Sequence, residues 1–183
     1  MLQLITILNR CHHFPGFVYQ QARFSANHKS IEIAVRPRKG SVAICSRCHQ
    51  PAPGYDELAE RRFEFIPFWG FLVFLLYSMR RVDCRRCQAI FVEEVPWGDG
   101  KRTLTRAYML FLARWARKLS WKETAEAFRT SWEKIFDAVE HVVTFGLPLH
   151  VRGGRAPNCF WGRNLDCKTR SSPRTATGLF RLS

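Results

Sequence analysis

Two short cysteine pairs, Cys45-Ser-Arg-Cys48 and Cys84-Arg-Arg-Cys87, constrain this chain more than any other feature. Each C-x-x-C spacing lets one tight knuckle present two thiolates to a single ion, and two knuckles supply the four soft ligands of a closed tetrahedral metal site. Between Cys48 and Cys84 lie 35 residues, enough to form strands that bring the second knuckle beside the first. This is the logic of a zinc ribbon. A four-thiolate Zn²⁺ site carries a net charge of about −2, and Arg47, Arg85 and Arg86 inside the knuckles would offset it. No open coordination position is suggested, so the zinc is expected to be structural. A disulfide, an iron site or simply buried cysteines are the alternatives. His49 is read as an exposed histidine and not a fifth ligand, and Cys11, Cys159 and Cys167, which lack C-x-x-C partners, as free thiols.

With 183 residues and 46% hydrophobic composition, the chain has room for one ordinary domain or two small ones with a real core. Lys and Arg number 29 against 15 Asp and Glu, a formal charge of +14. The expected partner is therefore a polyanion, either nucleic acid or an anionic membrane surface. The most apolar stretch, Ile66 to Met79, contains Pro67 and Gly70 and falls short of the roughly 20 apolar residues of a spanning helix. It reads as buried strand. Met1 to Leu8 has neither a basic n-region nor a small-residue cleavage site, so no secretory signal is expected. The cytoplasm follows, where paired cysteines serve as metal ligands more often than as disulfides.

Ile31, Ile33 and Val35 alternate with polar neighbours, and Pro37, Lys39 and Gly40 turn the chain toward Val42 and Ile44, a pattern that predicts a hairpin leading into the first knuckle. Arg61 to Val82, broken at Pro67 and Gly70, predicts two strands feeding the second knuckle, with a further short strand over Ile90–Val95. From Thr103 the period becomes helical, with Leu104, Tyr108, Phe111, Leu112, Trp115 and Leu119 on one side. Ser120 and Glu123 have capping-box spacing, so a second helix starts there with Trp121, Ala125 and Phe128 inward. Arg129-Thr130 make the turn. Ser131 is the N-cap of a third helix whose core face is Ile135, Phe136, Val139, Val142 and Val143.

A small residue at Ala125, a tight turn and Ile135 ten positions later suit a helix-turn-helix; an ordinary three-helix bundle is the alternative. At 100° per residue, Glu133, Lys134, Asp137, Glu140, His141 and Thr144 lie opposite the third helix's core face, which is where a major groove would be entered. Three carboxylates there repel phosphates, although Glu or Asp can accept a bond from cytosine N4. Phosphate contacts then fall to Arg114, Arg117, Lys118, Lys122 and Arg129, with Ser131 at the helix start. The candidate DNA-binding set is thus Arg114, Arg117, Lys118, Lys122, Arg129, Ser131, Glu133, Lys134, Asp137 and His141. The fold class expected is α+β: a β-rich zinc ribbon over residues 1–98, a helix-turn-helix unit over 99–150, and a basic tail over 151–183.

With both knuckles in view, together with Pro-Gly-Tyr-Asp at 53–56, Arg-Arg-Phe at 61–63, Arg-Arg-Val-Asp-Cys at 80–84 and Leu-Ser-Trp-Lys-Glu at 119–123, the chain resembles a bacterial insertion-sequence transposase of the ISL-three family. The resemblance runs from about residue 8 to about residue 146. It implies binding of double-stranded DNA at the terminal inverted repeats of a mobile element, with full-length transposase or self-association as possible further contacts and no membrane. Members of that family continue into an RNase-H-like domain whose Asp/Asp/Glu carboxylates bind two divalent ions. Residues 151–183 hold one acidic residue, Asp166, against seven basic ones, and Asp166 sits in no matching motif. The chain is therefore expected to lack catalysis of its own, and its tail to be disordered, as a frame-shifted remnant would be. An active transposase completed by a frameshift or a partner chain is the alternative. So is a zinc-ribbon regulatory protein that does not touch DNA.

Overall fold

The computed structural model describes residues 3–99 and 101–151, and side chains as far as 144. The tail from 152 on, with Cys159, Cys167 and Asp166, lies outside the described residues. The described residues are α+β, with a mixed sheet and four helices: α1 (Leu4–Cys11), β1 (Phe17–Phe24), β2 (Ser30–Pro37), β3 (Ala43–Ile44), β4 (Pro51–Ala52), β5 (Gly54–Phe68), β6 (Phe71–Cys84), β7 (Ala89–Val92), α2 (Arg106–Trp115), α3 (Trp121–Phe128) and α4 (Trp132–Val151).

The long strand β6 organises the sheet, because Val73, Leu75, Tyr77 and Met79 alternate onto one buried face as a period of two requires. The strand order is β1-β2-β6-β5. Beyond the point where β2 ends, β7 takes the same edge of β6, pairing Arg81 to Cys84 with Val92 to Ala89. The central apolar stretch divides between two strands, with the break at Gly70 that its sequence predicts. Trp69 and Gly70, at φ 49° and 80°, form a two-residue turn that splits it into the end of β5 and the start of β6, and two positive φ values match the twist of a tight hairpin.

The hairpin expected between residues 31–35 and 42–44 does not form. Instead β2 pairs antiparallel with β1 and parallel with β6, Ser30 opposite Leu72 through Ala34 opposite Leu76, while β3 pairs with β4. Ile31, Ile33 and Val35 are all buried, and a strand flanked on both sides covers them better than a lone two-stranded ribbon. The partner strand β1 was hard to see in the sequence because a bulge between Tyr19 and Gln21 breaks its alternation.

Under the buried sheet face lies an aromatic core. Trp97 sits 4.9 to 6.0 Å from the rings of Phe14, Phe17, Phe63 and Tyr77, and Leu8 of α1 closes that side. Each such side chain contributes about 1.5–3 kcal/mol by leaving water.

The helices dock on β5 around Glu64, with Thr105 making the backbone link. Thr105 caps α2 by accepting from the Tyr108 amide at 3.3 Å, and both its own amide and its hydroxyl donate to the Glu64 carbonyl at 2.9 Å. A second core of Leu104, Tyr108, Met109, Leu112, Ile135 and Ala138 meets the first at Ile66. The predicted capping box is present: the Ser120 amide donates to Glu123 at 2.8 Å, and the Glu123 amide to the Ser120 hydroxyl at 3.2 Å. Arg129 ends α3 in a left-handed conformation, φ 51°. Ser131 caps α4, accepting from the Lys134 amide at 3.4 Å.

Four expected core residues lie outside it. Phe136 and Val143 are 45% and 58% exposed, and Trp115 and Trp121 are each 40% exposed. The cause is the rotation of α4, which packs principally on α2 through Ile135 and the small Ala138, both fully buried. A stripe centred there turns positions 136 and 143 outward, and Trp121 follows Phe136, its ring 5.8 Å away.

Candidate metal centre and nucleic-acid interface

Cys45, Cys48, Cys84 and Cys87 converge, with all four sulfur atoms within 4.8 Å of one another and those of Cys48 and Cys84 at 3.4 Å. Two elements bring them together. The first knuckle is the loop of the β3–β4 hairpin, where the Cys45 amide donates to the Gln50 carbonyl and the His49 amide to the Cys45 carbonyl, each at 2.9 Å. The second knuckle is the turn from β6 into β7. The two are stitched across the sheet by Ser46 donating to the Val92 carbonyl at 3.3 Å and Glu94 donating to that of Ile44 at 2.7 Å.

The knuckles share a backbone feature that residue type alone does not announce. His49 and Gln88 each follow the second cysteine of their pair, and both are left-handed, at φ 56° and 53°. A positive φ there turns the chain sharply, leaving the preceding thiol directed at its partners. Glycine would adopt this without strain.

Cys45 and Cys84 are buried and Cys48 and Cys87 half-buried, inside a small core with Ala43, Ala52 and Val82. The Cys87 amide donates to the Cys84 sulfur and holds that thiol down at about 7 against the opposing effect of burial. Burial, followed by the crowding of Cys48 and Cys84, pushes Cys87 up to about 12. The two thiols of the second knuckle are thus pushed in opposite directions, Cys84 toward its thiolate and Cys87 away from it. A bound cation removes the conflict by stabilising every thiolate at once, so the donor set fits a metal ion.

Beneath the cluster lies a buried ion pair absent from the sequence reading. Glu93, 1% exposed at its side chain, accepts from Arg80 Nε at 2.9 Å and Nη2 at 2.6 Å, from the Arg80 amide at 2.8 Å, and from the Tyr77 hydroxyl. Burial, with the adjacent Glu93 carboxylate, raises the Tyr77 hydroxyl far above its ordinary range. Glu93 stands opposite Cys45 in an isolated bridge, so this network fixes the strand that carries the first ligand. The Arg47 guanidinium covers Phe91 at 5.4 Å, and Arg85 and Arg86 are exposed. His49, also exposed, has Nδ1 2.7 Å from a Glu94 carboxylate oxygen and does not belong to the sulfur cluster.

The candidate DNA-contacting residues divide into two groups. Arg114, Arg117, Lys118, Lys122, Arg129, Ser131 and Glu133 are exposed on α2, the α2–α3 turn, α3, the α3–α4 turn and the start of α4. Ser131 holds the Glu133 carboxyl below its ordinary range by hydrogen bonding. Lys134, Asp137 and His141 are half-buried on the flank of α4. Lys134 Nζ sits 2.6 Å from a Glu64 oxygen, so its charge is spent on docking α4 to β5. Burial, reinforced by Arg102 and Arg106, pushes His141 below its ordinary value. An open groove between α3 and α4 is lined by Lys122, Glu126, Arg129, Trp132 and Glu133.

No protein-family model matches the chain, and neither the curated proteins nor the solved structures supply a match. Among the described residues, no helix is long and apolar enough to cross a membrane.

Proposed function

We propose that this chain is a DNA-binding protein, the zinc-bearing, end-recognising portion of an insertion-sequence transposase of the ISL-three type. Zn²⁺ at Cys45, Cys48, Cys84 and Cys87 would staple the ribbon, and the α3–turn–α4 unit would meet the duplex. The observation that carries the reading is the ring of exposed cations around that unit, Arg114, Arg117, Lys118, Lys122 and Arg129, on a chain of formal charge +14. Three residues separate α3 from α4, the tight spacing a helix-turn-helix uses. Zinc is favoured over harder ions because all four donors are sulfur. Bonds of about 2.3 Å in a tetrahedron place sulfurs about 3.8 Å apart, close to the spacing present.

Within this reading, the exposed cations grip phosphates without reading sequence, and Glu133 at the start of α4 is the carboxylate best placed to accept from cytosine N4. Fluorescence anisotropy with repeat-bearing and random duplexes at several salt concentrations tests the assignment. Arg117→Ala and Arg129→Gly, the latter keeping the left-handed turn, should weaken both duplexes alike and flatten the salt slope by about 0.9 each. Glu133→Ala should raise affinity for random DNA and reduce the preference for the repeat. If all three variants bind as the unaltered chain does, the helical unit is not the interface.

A second reading, a zinc-ribbon protein that covers another protein, is favoured by the exposed Trp132, Phe136 and Val143 along α4. Absence of any salt-dependent duplex binding would favour it.

A further inference from the structure

The sheet end farthest from the cysteine cluster carries two turns side by side. Ser30 is opposite Leu72 in the parallel pairing of β2 and β6, so the β1–β2 turn at residues 25–29 lies beside the β5–β6 turn at Trp69-Gly70. The Phe24 and Phe71 rings meet across them at 5.3 Å, and Phe68 contacts Trp69 at 4.3 Å. Phe24 is 55% exposed and Trp69 78%. A tight hairpin wants asparagine or glycine at the place Trp69 fills, since its φ of 49° strains a bulky residue. Backbone strain under an exposed aromatic ring is where a contact to another molecule is to be sought.

Charge identifies the occupant. Lys29 and His28 are exposed in the neighbouring turn. Two carboxylates on the adjoining strands are already engaged, Glu32 by Arg23 at 3.2 Å and Arg62 at 3.6 Å, and Glu64 by Lys134. Arg62 also lies 4.2 Å over the Phe74 ring. The tip is continuous with the proposed interface, because Leu72 and Phe74 of the hairpin and Arg129 and Lys134 of the helical unit line one small cavity of about 110 Å³. Aromatic rings interleaved with cations suit stacking on bases or sugars between phosphates.

We propose that this aromatic tip is a second nucleic-acid contact, with Trp69 laid against a base or deoxyribose of the duplex held by α3 and α4 and Lys29 on a phosphate beside it. The inference rests on the DNA-binding reading and extends it to the ribbon.

The test uses the full zinc-loaded chain and measures duplex affinity across salt concentrations for Trp69→Asn, Trp69→Phe and Lys29→Ala. Asn suits the turn better than Trp, so Trp69→Asn should unfold no more readily in denaturant than the unaltered chain. Its affinity should nonetheless fall on the order of tenfold with an unchanged salt slope, since an apolar contact releases no counterions. Trp69→Phe should recover part of the loss, and Lys29→Ala should lower the slope by about 0.9. If Trp69→Asn binds as the unaltered chain does while Arg117→Ala weakens binding, the tip is outside the interface and only this inference falls. If the unaltered chain binds no duplex at all, both readings fall together.

Discussion

Replacing Arg80 with Ala tests whether the ribbon is held from beneath its cysteine cluster. In the native chain Arg80 is 17% exposed at its side chain and gives Glu93 two hydrogen bonds, at 2.6 and 2.9 Å. Removing one partner of a buried pair leaves the other charge unpaired in low dielectric, at a cost of about 3–5 kcal/mol. Glu93 keeps the Arg80 amide and the Tyr77 hydroxyl, so the lower end, about 3 kcal/mol, is expected. At roughly 2–4 °C per kcal/mol, that is a fall in melting temperature of about 6–12 °C. Arg80→Lys should recover only part of it, because a single ammonium cannot supply the two parallel donors. An apolar pair, Arg80→Met with Glu93→Met, should recover part, since neither charge is then left buried, although the Tyr77 hydroxyl and the Arg80 amide lose their acceptor. Urea titration of these proteins together with the single variants Arg80→Met and Glu93→Met gives both the individual costs and the coupling. A loss below about 1 kcal/mol for Arg80→Ala, or a double variant as unstable as the two single changes summed, would refute the reasoning.

With zinc bound as proposed, Cys84→Ser should release it and melt the ribbon, since structural zinc contributes on the order of 10 kcal/mol; metal analysis and thermal melting read it, and an unchanged melting curve would count against a structural metal. Gln88→Gly should raise stability modestly, by up to about 1 kcal/mol, because it relieves the left-handed knuckle position while the unfolded chain gains freedom; a clear loss would mean that the Gln88 side chain contributes contacts of its own. Burial holds His12 below its ordinary value, and burial aided by Arg102 and Arg106 does the same for His141. The unfolded chain therefore takes up those protons first, and the stability they contribute is full above pH 6.5 and lost as pH falls below it. His141→Gln should flatten part of the fall between pH 7 and 5 in denaturant titrations.

The features legible in the sequence were those set by local chemistry. Ser120 and Glu123 announced their cap because two side chains three residues apart satisfy each other's amides whatever surrounds them. The four cysteines announced a shared cluster because their spacing has few other uses. The parallel pairing of β2 with β6 was not legible, because alternation shows that a strand has a buried face and not which strand lies beside it. Phe136 and Val143 were placed in the core for being apolar, yet the close fit of Ala138 against α2 rotated the stripe and left them outside. Helical phase alone turns Lys134 toward a groove, yet its partner Glu64 is 70 residues away on β5.

Duplex affinity of the zinc-loaded full chain, followed from about 50 to 200 mM salt, tests the central claim most directly. Five exposed cations surround the α3–α4 unit, Arg114, Arg117, Lys118, Lys122 and Arg129. If about three to five of them neutralise phosphates, the logarithm of the binding constant falls linearly against that of salt concentration with a slope of about −2.7 to −4.5. A flat line, or no binding at the lowest salt, would contradict the account.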